Sequence, residues 1–320
     1  MRAFLTGGTG FIGSRVVQRL RDRGDEVVVL ARRPEKAAGL DAEVVQGDLT
    51  DADAIRRGVE GCQAVFHIAA DYRVGMDASK RDSMRDSNIG GTERVLDAAT
   101  DAGVDKIVYV STINAFGNTK GQTVDESYRR DEADGFVSTY DETKYRAHVI
   151  AEERAAQGAP VVIVQPGSVY GPGDHALVGQ MIEQASTGKM PAKAFPELGL
   201  NMVHVDDVAD GIMLAYDRGK VGESYVLGGE ITTQGDLIDK AAAIGGKKPP
   251  RMTVPPVLLK AMIPVGRWVG PPMGLPPNFR EMISAAHNVT YWAKDDKARR
   301  ELGYSPRDLD TGLRETIQAA

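Results

Sequence analysis

Short apolar runs rich in Val and Ile alternate with helical patterns through the first half of the chain. The runs are Arg2 to Thr6, Glu26 to Ala31, Glu43 to Gln46, Ala64 to Ala69, Lys106 to Thr112 and Pro160 to Gln165. Several are apolar at successive positions, so both faces need cover, as in strands buried between two helical layers. Between them, Ser14 to Arg23, Ser87 to Ala102 and Thr139 to Gln157 carry helical patterns long enough to cross from one strand to the next. Strand, crossover helix and strand in this order favour right-handed parallel pairing, and the pattern predicts an α/β fold on a doubly wound parallel sheet.

After Gln165 the alternation loosens, with strand-like runs at Asn201 to Val205 and Ser224 to Leu227 and helices between them. We read residues 1–169 as the core, 202–228 as returning to it, and 170–201 with 229–320 as a smaller, partly discontinuous C-terminal lobe. Asp206 and Asp207 are expected to cap a helix starting near Val208, because a carboxylate accepts hydrogen bonds from free backbone amides. Nine prolines between Pro249 and Pro277 break regular structure in a stretch carrying Leu258, Leu259, Met262, Ile263, Trp268, Met273 and Leu275. Such a segment suits the wall of a substrate pocket or a flap that simply covers the core.

With 42% hydrophobic and 26% charged residues in 320, the composition excludes a disordered or fibrous chain. A net charge of −6 without a basic run argues against nucleic acid as partner. No apolar stretch reaches the roughly 18–20 residues of a membrane span, and no membrane partner is expected. A lone cysteine, Cys62, forms no intramolecular disulfide, and the cytoplasm is the default location. His67, His148, His175, His204 and His287 show no zinc spacing, so no metal is expected.

The first run leads into Thr6-Gly7-Gly8-Thr9-Gly10-Phe11-Ile12-Gly13, with a helical pattern directly behind it. Glycines at 8, 10 and 13 and at 7, 10 and 13 both fit dinucleotide-binding spacings: they permit a tight turn and let a pyrophosphate approach a helix N-terminus. A carboxylate about 20 positions on, at the end of the second strand, is the usual partner of the NAD ribose diol. Here that strand ends in Ala31-Arg32-Arg33-Pro34. A guanidinium at Arg32 matches a 2′-phosphate that a carboxylate would repel, so NADP(H) is favoured over NAD(H). The same arginines would otherwise be solvated charges opening a loop. Asp48 and Leu49 after the third strand are candidate adenine contacts, and Ala69 and Ala70 after the fourth are small enough to let backbone approach the cofactor.

Tyr140 and Lys144 stand at i and i+4, on one helical face. A phenol near pKa 10 exchanges protons poorly at neutral pH, and an adjacent ammonium is expected to lower it. Upstream, a strand ends in Ser111-Thr112 at the carboxyl edge of the sheet, where open α/β folds bind ligands and a hydroxyl can bond a carbonyl oxygen.

Together these segments, with Asn88-Ile89-Gly90-Gly91-Thr92, Gly117, Gln165-Pro166-Gly167-Ser168-Val169-Tyr170-Gly171-Pro172-Gly173-Asp174 and Val203-His204-Val205-Asp206-Asp207, resemble the extended short-chain dehydrogenase/reductase superfamily, also called the NAD-dependent epimerase/dehydratase family. The resemblance spans nearly the whole chain. It implies a Rossmann-like core, a substrate-binding C-terminal lobe, and an NAD(P)-dependent oxidoreductase. It makes Tyr140 the general acid/base, lets Lys144 hold the ribose hydroxyls, and has Thr112 orient the substrate oxygen. Asn88, Pro166, Gly167, Ser168 and Val169 would lie at the nicotinamide end. A homodimer through the helix near Asn88 and the Tyr140 helix is implied as well.

Within that superfamily the chain departs from two branches. Dehydratases place an Asp-Glu pair after the catalytic Thr, where this chain has Ile113-Asn114. Nucleotide-sugar epimerases carry an Asn where Ser168 stands and an acidic residue where Arg32 stands. The turn Ala31-Arg32-Arg33-Pro34 is more similar to the dihydroflavonol 4-reductase-like group, which implies reduction of a small-molecule ketone or aldehyde. An epimerase with tightly bound NAD, and a non-catalytic NADP sensor, remain the alternatives.

Overall fold

The computed structural model describes residues 1–76, 78–261, 263–265, 268 and 278–319. Met262, Met273, Leu275 and the last four prolines of the proline-rich segment lie outside them. The strands are β1 (Arg2–Thr6), β2 (Glu26–Ala31), β3 (Glu43–Gln46), β4 (Ala64–His67), β5 (Lys106–Val110), β6 (Val161–Pro166), β7 (Ser168–Tyr170), β8 (Gly199–His204), β9 (Ser224–Leu227) and β10 (Glu230–Thr233). Seven form one sheet in the order β3-β2-β1-β4-β5-β6-β9, every pairing parallel. β10, β8 and β7 form a second, smaller sheet.

Helices α1 (Phe11–Asp22), α2 (Ala52–Val59), α3 (Arg81–Arg85), α4 (Gly91–Asp101), α5 (Thr139–Ala156), α6 (Leu177–Thr187), α7 (Val205–Arg218), α8 (Gln234–Ile244) and α9 (Pro256–Ala261) connect them. The unbroken apolar runs serve both faces of the large sheet. Phe4, Val28, Val65, Ile107 and Ile163 pack under α2, α4 and α5. Leu5, Val29, Phe66, Val108 and Val164 pack under α1, α7 and the helix Asp296–Leu302. This is the doubly wound, Rossmann-like α/β arrangement, and strand order reverses between β1 and β4, opening a crevice at the carboxyl ends.

In the small sheet Tyr170, Leu200 and Met202 pack on Ile182 of α6, Leu237 of α8 and Leu313 of the terminal helix Leu309–Gln318. Ser168 and Val169 therefore stand on a strand of this second sheet, while α7 and β9 lie with the large one.

Several boundaries differ from the sequence reading. β4 and β5 stop at His67 and Val110, because the chain then turns to cross the carboxyl edge. The helix expected from Ser87 starts at Arg81 and passes through a π-helical turn, Asp86–Gly90, before α4. α7 begins at Val205, and its cap is His204, whose Nδ1 accepts from the Asp206 amide at 3.3 Å. Asp206 and Asp207 do not cap it; they lie in its first turn, and Asp207 is spent on the Arg307 guanidinium at 2.9 Å.

Candidate active site

At the mouth of β1 the Gly10 amide donates to the Gly7 carbonyl at 2.9 Å, closing the turn. Gly7 has φ +78°, and a Cβ there would stand 2.7 Å from the Ala69 nitrogen. A Cβ on Gly13 would stand 2.0 Å from the Gly7 oxygen. Helix α1 then starts on Gly10 with no side-chain cap and no acid in its first turn. The amides of Phe11, Ile12 and Gly13 thus meet no competing side-chain anion, and the cradle fits a pyrophosphate. Thr9 is exposed on its rim.

Arg32 and Arg33 are exposed where β2 ends, and their side chains make no hydrogen bond or ion pair among the described residues. Beside them, the Thr50 hydroxyl holds the Asp48 carboxyl below its usual range, with Arg32 and Arg94 adding to the effect. Leu49 is buried, and its carbonyl accepts from Arg94 at 2.9 Å.

Under the floor of the crevice, His67 joins Thr6 Oγ1 at 2.7 Å to Thr92 Oγ1 at 3.1 Å. Complete burial pulls its pKa down to about 3, so the ring stays neutral. Thr6 Oγ1 also accepts from the Ala69 amide at 3.2 Å, fixing the small-residue stretch through Ala70. Asn88, on the π turn, uses its amide within the protein: its oxygen accepts from the Asp71 nitrogen at 2.7 Å, and its nitrogen donates to the Asp71 carbonyl and to Thr143 Oγ1. It ties the loop after β4 to α5.

Tyr140 and Lys144 share the inner face of α5, buried to 8% and 3% exposure. Ser138 caps this helix by accepting from the Asp141 amide at 3.0 Å. Asp141 is itself buried against Arg130 at 2.8 Å, with the guanidinium 4.5 Å from the Phe136 ring centre and 5.0 Å from that of Tyr145. Lys144 Nζ donates to the Val110 carbonyl at 3.1 Å and lies 5.2 Å from the Tyr109 ring centre. Burial pulls its pKa down to about 8.

The expected depression of the Tyr140 phenol by Lys144 is not what the protein alone produces. Burial, reinforced by Tyr72, pushes the phenol above its ordinary value, and the Thr112 hydroxyl offsets this only in part. The reason is geometric: Lys144 points at Val110 and Tyr109, while the Tyr72 ring stands edge-on to Tyr140 at 4.7 Å. Thr112 also accepts from the Asn114 amide at 3.2 Å, and Ser111 turns away to His148 at 3.0 Å.

The large sheet's carboxyl edge thus gathers Gly7 to Gly13, Arg32, Asp48, Ala69, Thr112 and Pro166 from separate strands. A Cβ at Gly167 would stand 2.3 Å from the Asn201 carbonyl, so the crossing from β6 to β7 is held tight, and Ser168 and Val169 follow half-buried. Tyr72, Tyr109 and Glu281 escaped the sequence reading. Glu281, on the helix Phe279–Ala286, accepts from the Thr139 amide at 2.7 Å and so touches the start of α5. Asn278 with Glu281 has the spacing of a capping pair, which was readable; its contact with α5 was not. Among the described residues, no cluster of three or more His, Cys, Asp or Glu is placed to hold a metal.

The model of the NAD dependent epimerase/dehydratase family matches residues 3–228. The chain is 34% identical over 333 residues to a Synechocystis sp. protein provisionally named dihydroflavonol 4-reductase, covering 98% of this chain and 93% of that one. Its fold is similar to the crystal structure of gox2253, with a TM-score of 0.83 and 36% identity over 99% and 97% of the two chains. It is also similar to the dTDP-glucose 4,6-dehydratase DesIV from Streptomyces venezuelae, solved with NAD bound, with a TM-score of 0.79 and 26% identity over 100% and 96%.

Proposed function

The chain belongs to the NAD-dependent epimerase/dehydratase family and is an NAD(P)-dependent oxidoreductase of the extended short-chain type, and within it we propose an NADP(H)-dependent carbonyl reductase. The observation that carries the reading is the Tyr140 phenol, kept protonated by burial beside the Thr112 hydroxyl at the carboxyl edge. A neutral phenol suits a proton donor to an oxygen that gains negative charge as a carbonyl is reduced. The neighbouring carboxylate, Asp141, is occupied by Arg130, and Ile113-Asn114 leaves no acid next to Thr112 for water elimination.

In this reading Thr112 fixes the carbonyl oxygen and Tyr140 gives it a proton. Lys144 turns from the Val110 carbonyl toward the ribose hydroxyls. Gly7 to Gly13 hold the pyrophosphate, Arg32 takes the 2′-phosphate, and Asp48, Leu49, Ala69 and Ala70 border the adenosine. Asn88 sets the loop after β4, while Pro166, Gly167, Ser168 and Val169 line the nicotinamide. When bound, the nicotinamide supplies the hydride, or accepts it in the reverse reaction. We assign residues 170–201 and 229–320 to the substrate lobe, and propose a cytoplasmic homodimer acting on a small-molecule carbonyl or alcohol.

The test is turnover with NADPH over a panel of aldehydes and ketones. Tyr140→Phe is expected to lower it by roughly 10²–10⁴-fold while cofactor binding stays near normal. Retained turnover would sink the mechanism. Activity on nucleotide sugars with NAD that resists stripping would support the epimerase alternative instead.

A further inference from the structure

Tyr140 is the second residue of α5. The first amides of a helix have no acceptor within it, so a first turn frays unless something outside binds them. Lys144 lies one turn further in, where amides find their acceptors inside the helix. The phenol therefore depends on what holds the start of α5 more than the ammonium does. Ser138 accepts from the Asp141 amide, and the Thr139 amide, directly before Tyr140, donates to a side chain 142 residues further along the chain, Glu281 Oε1 at 2.7 Å.

Glu281 is 7% exposed. Its Oε2 accepts from Asn278 Nδ2 at 3.1 Å and stands 3.9 Å from the Arg81 guanidinium of α3. Asn278 accepts from the Glu281 amide at 3.2 Å through its side chain, while its own amide donates to the Gly75 carbonyl at 3.0 Å. From one helix start, contacts thus run to α5, to α3 and to the loop after β4. These are the elements packed around the phenol: Met84 of α3 and Met76 of the loop form one buried cluster with Tyr140, and Tyr72 of the loop stands edge-on to it. A buried carboxylate whose ion-pair partner stands at 3.9 Å is a poor source of stability, because desolvation offsets what pairing gains. What it fixes is geometry.

We propose that Glu281 is a positioning residue for Tyr140: by holding the Thr139 amide it keeps the phenol where it meets the substrate oxygen, and so makes proton donation depend on the C-terminal lobe. The proposal rests on Tyr140 being the proton donor of the reductase reading. Glu281 exchanges no proton in this role; it acts through the backbone of α5. A donor displaced by about 1 Å is enough to cost roughly 10²-fold in rate. The glycine turn and Lys144 are held by other contacts, so loss of Glu281 is expected to slow the reaction without loosening the cofactor.

The full-length variants Glu281→Ala and Glu281→Gln test it by kinetics, NADPH titration and deuterium exchange. Glu281→Ala is expected to lower kcat, on a carbonyl that wild type reduces, by roughly tenfold or more with little change in KM, and to keep the NADPH dissociation constant within about twofold of wild type. In Glu281→Gln the amide oxygen still accepts from Thr139, so most of the rate is expected to return. Exchange, which needs no substrate, should quicken at Thr139 to Asp141 in Glu281→Ala and stay slow from Lys144 onward. Wild-type kcat in Glu281→Ala, or unchanged exchange at the start of α5, overturns the proposal. So does a Glu281→Gln variant as slow as Glu281→Ala, or a fall in kcat matched by an equal loss of NADPH affinity and a lower melting temperature, which marks a damaged fold. A wild type that reduces no carbonyl defeats the reductase reading instead, and the exchange result alone then decides whether Glu281 orders the start of α5.

Discussion

Lys144 shows how one residue can be legible in sequence and still be misjudged in energy. Its spacing from Tyr140 declared a shared helical face, and the structure has that face. The sign of the Tyr140 shift was not legible, because it depends on burial and on Tyr72, which arrives from the loop after β4. The cost of burying Lys144 is measurable. Its folded pKa of about 8 lies below the ordinary 10.5, so between those values the unfolded chain binds more protons and stability rises with pH. Below about pH 8 the full cost is present. Lys144→Met is therefore expected to be more stable than wild type at pH 7, by on the order of 3 kcal/mol, with the gap closing as pH rises toward 10.5. Thermal unfolding of both proteins across this range checks it; a gap that does not change with pH contradicts it.

Among elements, the strands of the large sheet were readable because apolar residues at successive positions leave few alternatives to burial on both faces. Their ends were less so, since backbone that turns across the carboxyl edge has no composition of its own. The π turn carrying Asn88 left no mark in the helical pattern, and the cap of α7 was misassigned because a histidine ring replaced the expected carboxylate. The glycine turn was legible, and its packing says which glycine is least replaceable. Gly13→Ala puts a methyl against the Gly7 carbonyl, so it is expected to cost about 1–3 kcal/mol and to weaken NADPH binding by roughly tenfold or more. Gly39→Ala, which meets nothing within 4 Å, is the control and should bind normally. Equal binding by both variants would remove the turn from the cofactor site.

For the molecule as a whole, the division of labour between sheets was partly visible in the loosening of the pattern after Gln165. What joins them was not. Glu281 reaches the first amide of α5 from a helix far along the chain, and Asn278 donates to the Gly75 carbonyl, contacts that no local periodicity encodes. A charged side chain takes its meaning from its exposure and its partners, which its place in the sequence does not give. The same reasoning applies to Arg32, whose side chain is exposed and unpaired at the crevice. If it reads the 2′-phosphate, cofactor choice belongs to that one guanidinium. The measurement is a fluorescence titration of cofactor-stripped protein with NADPH and NADH, on wild type and Arg32→Asp. The account predicts tighter NADPH binding by wild type and a shift of preference toward NADH by roughly tenfold or more in the variant. Wild-type preference for NADH, or a preference that Arg32→Asp leaves unchanged, would contradict it.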